Sequence, residues 1–210
     1  MEMVELYYDH YKDSFEQQKS YLQKRDKLTI ILLVCIILII AFCYDANSVC
    51  ENLNKLINSQ VNELKFDLSF IKTGLYIITF WVSLQYYQIV LIIEKTYRYI
   101  HNCEKCLSDS GFPISREGFS YLENYPWLSN CAHLFYAWGI PLTLIVCSGF
   151  NICLSWSAQF LNICNIIILI FIGIFSLLYI SYRNFKEEYF SNELHPNMNF
   201  FQRLKMYFRG

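Results

Sequence analysis

Residues 28–44 read LTIILLVCIILIIAFCY, seventeen residues without a single charged side chain. Nearly all of them are aliphatic or phenylalanine. Crossing the hydrocarbon of a bilayer as a helix takes about 20 predominantly apolar residues. Because backbone groups in lipid must be hydrogen-bonded within the protein, the run predicts a transmembrane helix, and strands are excluded despite the β-branched content.

Three further runs have the same character, at residues 73–93, 132–153 and 160–182. Only six residues separate the last two, which predicts a helical hairpin. Charged residues make up 17% of the chain, against about 25% in a typical soluble domain. Four charge-free runs exceed what a soluble core of this size would hide, so buried core helices are the weaker interpretation. The sequence therefore predicts an all-α, polytopic membrane protein with four transmembrane helices.

Lysine and arginine are distributed unevenly between the two sides of the predicted membrane. Fourteen of them lie in residues 1–27, 94–131 and 183–210, and three lie on the alternate side. Those three are Lys55, Lys65 and Lys72. Positively charged residues concentrate in cytoplasmic segments, so both termini and the central loop are predicted to be cytoplasmic. The acidic segment before residue 28 lacks the features of a cleavable signal peptide, and the first apolar run is expected to remain as an anchor.

Helical patterns continue outside the spans. Residues 1–27 have apolar positions at helical spacing and no Gly or Pro, which predicts an amphipathic helix that runs into the first span. Its apolar stripe packs within the chain or serves as a docking surface for another protein. The second span likewise continues beyond residue 93, until breakers at 109–113 end it. The chain thus divides into 1–27, a four-span domain at 28–182 with a cytoplasmic loop at 94–131, and a tail at 183–210.

Within the tail, aromatic and basic residues occupy opposite faces of a predicted amphipathic helix. This pattern is typical of a helix at the membrane surface that contacts anionic lipid headgroups. Packing against the amino-terminal helix is the alternative. The membrane-surface residues would be Phe200, Phe201, Arg203, Leu204, Lys205, Tyr207, Phe208 and Arg209.

A group of cysteines and histidines on the cytoplasmic side contains the ligand types of a zinc site. Its members are His101, Cys103, Cys106, Cys131 and His133. Cys103 and Cys106 form a C-x-x-C pair, and the later residues would complete a tetrahedral set. The pair lies in a predicted helix without a glycine-rich turn, so structural thiols are favoured over zinc binding or thiol redox chemistry. No metal or other cofactor is predicted.

Five uncharged amides lie within the predicted spans: Gln85, Gln88, Asn151, Asn162 and Asn165. Polar side chains in lipid seek partners, so interhelical hydrogen bonds are expected, with pore lining as the functional alternative. No Asp, Glu or Arg lies deep within a span, which disfavours a pump or a coupled transporter. No nucleotide-binding, hydrolase or metalloprotease motif occurs, so the chain is not predicted to be an enzyme. A net charge of −1 predicts no nucleic-acid partner.

The run EKTYRYIHNCEKCLS, which begins at residue 94, is followed by ISREGFSYLENYPWLSN, which ends at residue 130. Together with the span layout, these runs resemble a segment of uncharacterised small bacterial four-span membrane proteins. They are also similar to the small membrane accessory proteins of phage-defence systems. The resemblance implies the bacterial inner membrane and a role as a membrane effector or accessory component, and it carries no functional residue across.

The leading hypothesis is a non-enzymatic inner-membrane protein that acts through helix association. Its partners would be the lipid bilayer and either a second copy of itself, as a homo-oligomer, or a cytoplasmic protein. An oligomeric channel lined by the second span is the alternative. A membrane-bound metal or thiol protein is the third hypothesis, and it depends on the cysteine and histidine group.

Overall fold

The computed structural model describes residues 2–58, 67–109, 111, 131–132, 134–157 and 163–194. Within these residues the regular elements are all helical, which confirms the predicted all-α class. The helices are α1 (Glu2–Tyr44), α2 (Ala46–Asn58), α3 (Leu68–Asp109), α4 (Ile140–Ser157) and α5 (Ile163–Leu194). A π-helical turn, Phe135–Gly139, directly precedes α4.

Four of the described helical segments are long and apolar enough to cross a membrane, as the sequence predicts. They are Glu5–Tyr44, Leu68–Asp109, Phe135–Leu154 and Ile163–Asn184. Each contains most of one predicted apolar run. These four helices are therefore compatible with a multi-pass membrane protein that has four spans.

Helices α1 and α3 are much longer than a bilayer requires. They contain 43 and 42 residues, or about 65 and 63 Å at roughly 1.5 Å per residue. The hydrocarbon core is only about 30 Å thick. No Gly or Pro interrupts α1. Helix α3 ends at Asp109, and Gly111 follows with a φ of 86°, a conformation that glycine adopts without the steric cost of a Cβ.

The π-helical turn before α4 coincides with a proline. Pro141 has no backbone N–H, so it cannot donate the helical hydrogen bond to the carbonyl four residues earlier. Short π-helical stretches commonly occur where regular helical bonding is interrupted. The hydroxyl of Thr143 donates to the carbonyl of Gly139 at 2.8 Å, which adds a bond at the junction between the two helical forms.

The chain divides into two compact units. The first unit comprises Met1–Lys27, Tyr87–Ala137 and Asn184–Gly210, and the second comprises Leu28–Tyr86 and Trp138–Arg183. In the first unit α1 and α3 are antiparallel: Tyr11 contacts Glu104, and Gln18 contacts the carbonyl of Ile93. The buried core here consists of Tyr11, Ile100, Cys103 and Leu107.

In the second unit, α3 contacts α1, α4 and α5. It is antiparallel to α1, since Cys35 is hydrogen-bonded with Thr79 and Lys72 lies 5.8 Å from the centre of the Phe42 ring. It is parallel to α5, because Thr73 contacts Asn165 and the ring of Phe80 packs against Phe171 and Phe175. Helices α1, α3 and α5 thus run in the directions expected of a helical bundle in which the chain reverses repeatedly. Bundles of this kind bury one stripe of each helix and leave the rest exposed.

Candidate functional site

Two glutamines of α3, Gln85 and Gln88, have exposed side chains. They lie near the middle of the apolar run 73–93, whose central residue is 83. At roughly 1.5 Å per residue they are about 3 and 8 Å from that midpoint. The half-thickness of the hydrocarbon core is about 15 Å. If α3 spans a bilayer, both amides therefore lie within the hydrocarbon.

The two glutamines belong to a stripe along one side of α3, which we call the amide face: Ile77, Trp81, Gln85 and Gln88. Successive members are three or four residues apart, the spacing of neighbours on a helix surface. All four side chains are exposed, and that of Trp81 is 62% exposed. Neither glutamine is hydrogen-bonded to another residue in the described part of the chain. The amide face thus combines an apolar surface with unused donors and acceptors.

On the buried side of α3, polar side chains are hydrogen-bonded within their own helix. The hydroxyl of Thr79 donates to the carbonyl of Leu75 at 2.7 Å, and that of Ser83 donates to the carbonyl of Phe80 at 2.7 Å. Both side chains are fully buried. Bonding to the preceding helical turn satisfies the hydroxyls locally. Small polar residues of this kind also allow helices to approach each other closely.

Asn151 is the centre of a second polar site, which we call the asparagine node. Its Oδ1 accepts hydrogen bonds from the hydroxyl of Tyr76 and the thiol of Cys43, both at 3.1 Å. Its Nδ2 donates to the carbonyl of Cys147 at 2.8 Å. The node joins α1, α3 and α4 within the second unit, and Asn151 is only 6% exposed. This arrangement is an interhelical hydrogen-bond network, one of the two roles considered for the intramembrane amides.

Asn162 and Asn165 are the remaining two amides predicted to lie within the spans. Asn165 of α5 accepts a hydrogen bond from the hydroxyl of Thr73 at 2.7 Å, and Asn162 lies outside the described residues. Sequence reasoning missed the partners Tyr76, Cys43 and Thr73. Their position near the same predicted membrane face as Asn151 and Asn165 is the only signal in the sequence that relates them.

The zinc candidates are not gathered in the described part of the chain, where no three His, Cys, Asp or Glu side chains are placed to hold a metal ion. Cys103 is buried in the first unit's core, whereas Cys106 and Cys131 are exposed. His101 is half-buried, and His133 lies outside the described residues. The described members therefore give no support to a common site.

The first unit contains two buried polar side chains between α1 and α3. The hydroxyl of Tyr11 donates to the Glu104 carboxylate at 3.0 Å, and Glu104 is 4% exposed. Gln18 is 2% exposed, and its Nε2 lies 3.5 Å from the carbonyl of Ile93. The Oε1 of Gln18 has no hydrogen-bond partner among the described residues. A cavity of about 90 Å³ adjoins this side chain and is lined by Phe15, Gln18, Lys19, Leu22, Tyr97 and Ile100.

The described part of the first unit exposes three tyrosines and one leucine on the surfaces of α1 and α3. We call Leu6, Tyr7, Tyr8 and Tyr99 the tyrosine patch; their exposed fractions range from 46% to 57%. Tyr7 and Tyr99 come from different helices and interact electrostatically. The predicted membrane-surface residues of the tail, from Phe200 to Arg209, lie outside the described residues.

Comparison with known proteins gives no relative from which a function would follow. No protein-family model matches the chain, and neither a curated protein nor a solved structure matches it significantly.

Proposed function

We propose that the protein is a multi-pass inner-membrane protein with both termini in the cytoplasm, and that it acts without catalysis, through helix association with itself or with a cytoplasmic protein. The four long apolar helices support membrane insertion. The excess of Lys and Arg in the terminal segments and the central loop supports the orientation. The resemblance of residues 94–130 supports a bacterial inner membrane.

The observation that carries the association function is the tyrosine patch. With 28–44 and 73–93 in the bilayer, the first-unit parts of α1 and α3 that hold this patch lie in the cytoplasm. Tyr7 and Tyr99 bring exposed side chains of two helices close together. Contiguous exposed apolar side chains on a part of a protein that faces water commonly mark a binding surface. Tyrosine is enriched in such interfaces because its ring buries a large area while its hydroxyl makes a hydrogen bond. The patch therefore fits a protein partner.

Photo-crosslinking in living bacteria tests this function. A photoreactive amino acid replaces Tyr8 in the full-length chain, and the control replaces Gln17, which is exposed on the polar surface of the same helix. We expect a discrete crosslinked product from position 8 and little from position 17. The product should decrease when Tyr7→Ser and Tyr99→Ser are combined. Equal labelling at both positions, together with a strictly monomeric purified protein that loses no interaction on deletion of residues 1–20, would contradict the proposal.

An oligomeric channel is the second candidate, and the exposed amide face favours it. In a ring of copies, Gln85 and Gln88 would line a water-filled pore, where amides are tolerated. Conductance of the purified protein in planar bilayers tests this function. A pore with this lining should change its conductance when Gln85→Leu and Gln88→Leu are combined. Unchanged conductance would exclude the amide face as its lining.

The similarity to accessory proteins of defence systems supports a narrower hypothesis, in which association perturbs the membrane or relays a cytoplasmic signal to it. A membrane-potential dye in cells that express the chain tests this role during phage infection. We expect depolarisation with the intact tyrosine patch and a reduced response with Tyr7→Ser and Tyr99→Ser combined. No change in membrane potential and no change in phage plating would contradict a role in defence.

A further inference from the structure

We propose that the amide face of α3 is the contact surface between two copies of this chain within the bilayer. The inference rests on the membrane insertion proposed above and names the second copy as the partner that completes the span. The contact would be a parallel pair of α3 helices, with Ile77, Trp81, Gln85 and Gln88 at its centre.

Leaving these polar groups in lipid is costly. Lipid tails offer no hydrogen-bond donor or acceptor, so a polar group exposed to them keeps its full desolvation penalty. Gln85 and Gln88 each have an amide at this depth, and Trp81 adds an indole N–H. Tryptophan is normally enriched at the two membrane interfaces rather than at the centre. Three such side chains on one exposed stripe therefore indicate that this side of α3 does not face lipid.

Thr143 of α4 is another polar residue on an apolar helix. It is exposed as well, but its hydroxyl donates to the carbonyl of Gly139 in its own helix at 2.8 Å. A threonine hydroxyl can therefore face lipid with its donor already used. The glutamine amides have no equivalent bond within the described part of the chain. In contrast to Thr143, the two glutamines therefore have donors and acceptors that no described residue uses.

A second copy of the chain can complete the hydrogen bonds of these amides. A glutamine amide has both a donor and an acceptor, so two identical amides complement each other. Two copies inserted in the same orientation are related by a two-fold axis along the membrane normal, which brings equivalent residues together. Gln85 would then face the Gln85 of the second copy, and Gln88 likewise. The steps of four, four and three residues between members of the face add up to 11 residues, the repeat of helices that pair with a right-handed supercoil.

Energy transfer between labelled copies in lipid vesicles tests the proposal with the full-length protein. Two populations, labelled with donor and acceptor dyes, are reconstituted together at a series of protein-to-lipid ratios. The test variant combines Gln85→Leu with Gln88→Leu, and the matched control is Thr143→Val. Interhelical hydrogen bonds in membranes contribute modestly, so we expect the two-dimensional dissociation constant of the test variant to rise about tenfold or more. The control should associate like the unaltered chain.

Three outcomes would overturn the proposal. The first is that the unaltered chain shows no energy transfer at any protein-to-lipid ratio. The second is that the leucine variant transfers energy as well as the unaltered chain does. The third is that more than two copies associate and that the assembly conducts ions. The last outcome would instead assign the amide face to a pore. Photo-crosslinking at Tyr8 reports on the cytoplasmic surface alone. A crosslink that persists in the leucine variant would therefore leave the proposed function standing while the α3 contact fails.

Discussion

The asparagine node and the amide face are both polar sites to which α3 contributes, and they differ in how their hydrogen bonds are completed. At the node, Tyr76 donates to Asn151, and every polar atom of the Asn151 side chain has a bond from within the chain. At the amide face, Gln85 is exposed and receives no bond from a described residue. The open site is the one for which we propose a second copy of the chain as the partner.

Polar side chains whose hydrogen bonds are completed and polar side chains whose hydrogen bonds are open should respond in opposite ways when they are replaced. Replacing a residue with completed bonds by an apolar residue leaves its partners buried without a bond, which destabilises the protein. Replacing an open group removes a desolvation cost instead, so the fold should be unaffected or more stable. The predictions below test this rule in both units, in order of decreasing effect.

Asn151→Leu should produce the largest loss of stability. The substitution leaves the Tyr76 hydroxyl buried without an acceptor and forces a branched side chain into the space between three helices. Each of these effects costs about 1–3 kcal/mol, so we expect a loss of about 3 kcal/mol. Unfolding by steric trapping in bicelles measures it. A matched control is Val146→Leu on the exposed side of α4, which should change stability by less than about 0.5 kcal/mol. Equal effects of the two variants would contradict the rule.

The spans were predictable from the sequence because a charge-free run of sufficient length has few alternatives to a transmembrane helix. The same runs are apolar on every side, so their periodicity does not show which side of a helix is buried. The exposure of Gln85 and the burial of Asn151 could therefore not be predicted. The pairing of Asn151 with Tyr76, two residues 75 positions apart in the chain, also depends on the rotation and axial shift of their helices.

Tyr11→Phe should cause the second-largest loss, in the first unit. It removes the hydroxyl that donates to the buried Glu104 carboxylate while preserving the ring in the core. Removing one partner of a buried hydrogen bond costs about 1–3 kcal/mol, and we expect a loss of about 2 kcal/mol. Hydrogen exchange of the α3 amides near residue 104 measures it. Tyr8→Phe is the control, because Tyr8 is exposed on the same helix. If exchange increased with Tyr8→Phe and not with Tyr11→Phe, the stabilising role of the Tyr11 hydroxyl would be contradicted.

Gln18→Leu should stabilise the first unit, since it removes an open group. The Oε1 of Gln18 is buried without a partner among the described residues, and its Nε2 makes only a long contact of 3.5 Å with the Ile93 carbonyl. Removing the buried oxygen without a partner should stabilise the unit by more than the loss of that contact destabilises it. We expect a net gain in stability of about 1 kcal/mol. Thermal unfolding in detergent measures the gain. The neighbouring Gln17 is exposed, so Gln17→Leu should give no gain. A loss of stability with Gln18→Leu would mean that water or another donor satisfies the oxygen.

The smallest effect is expected for a solvent-exposed hydrogen bond at the start of α2. An Oδ1 of Asp45 accepts a hydrogen bond from the backbone N–H of Ser48 at 3.1 Å, as a residue that caps a helix N-terminus does. Hydrogen bonds from the side chain and the backbone of Ser48 lower the pKa of the Asp45 carboxyl below its ordinary value of 3.8. Since the folded pKa is the lower one, the capping contribution is fully present above pH 3.8 and is lost as the pH falls through the folded pKa.

Amide exchange at Ser48, followed from pH 6 downward, therefore checks this contribution by NMR. After correction for the intrinsic pH dependence of exchange, we expect constant protection above about pH 4 and a decrease only at lower pH. Asp45→Asn should abolish the pH dependence and keep the protection, because asparagine caps a helix without a titrating group. Asp45→Ala should lower protection at every pH. A decrease that begins near neutral pH, or that persists in Asp45→Asn, would show that another group controls the start of α2.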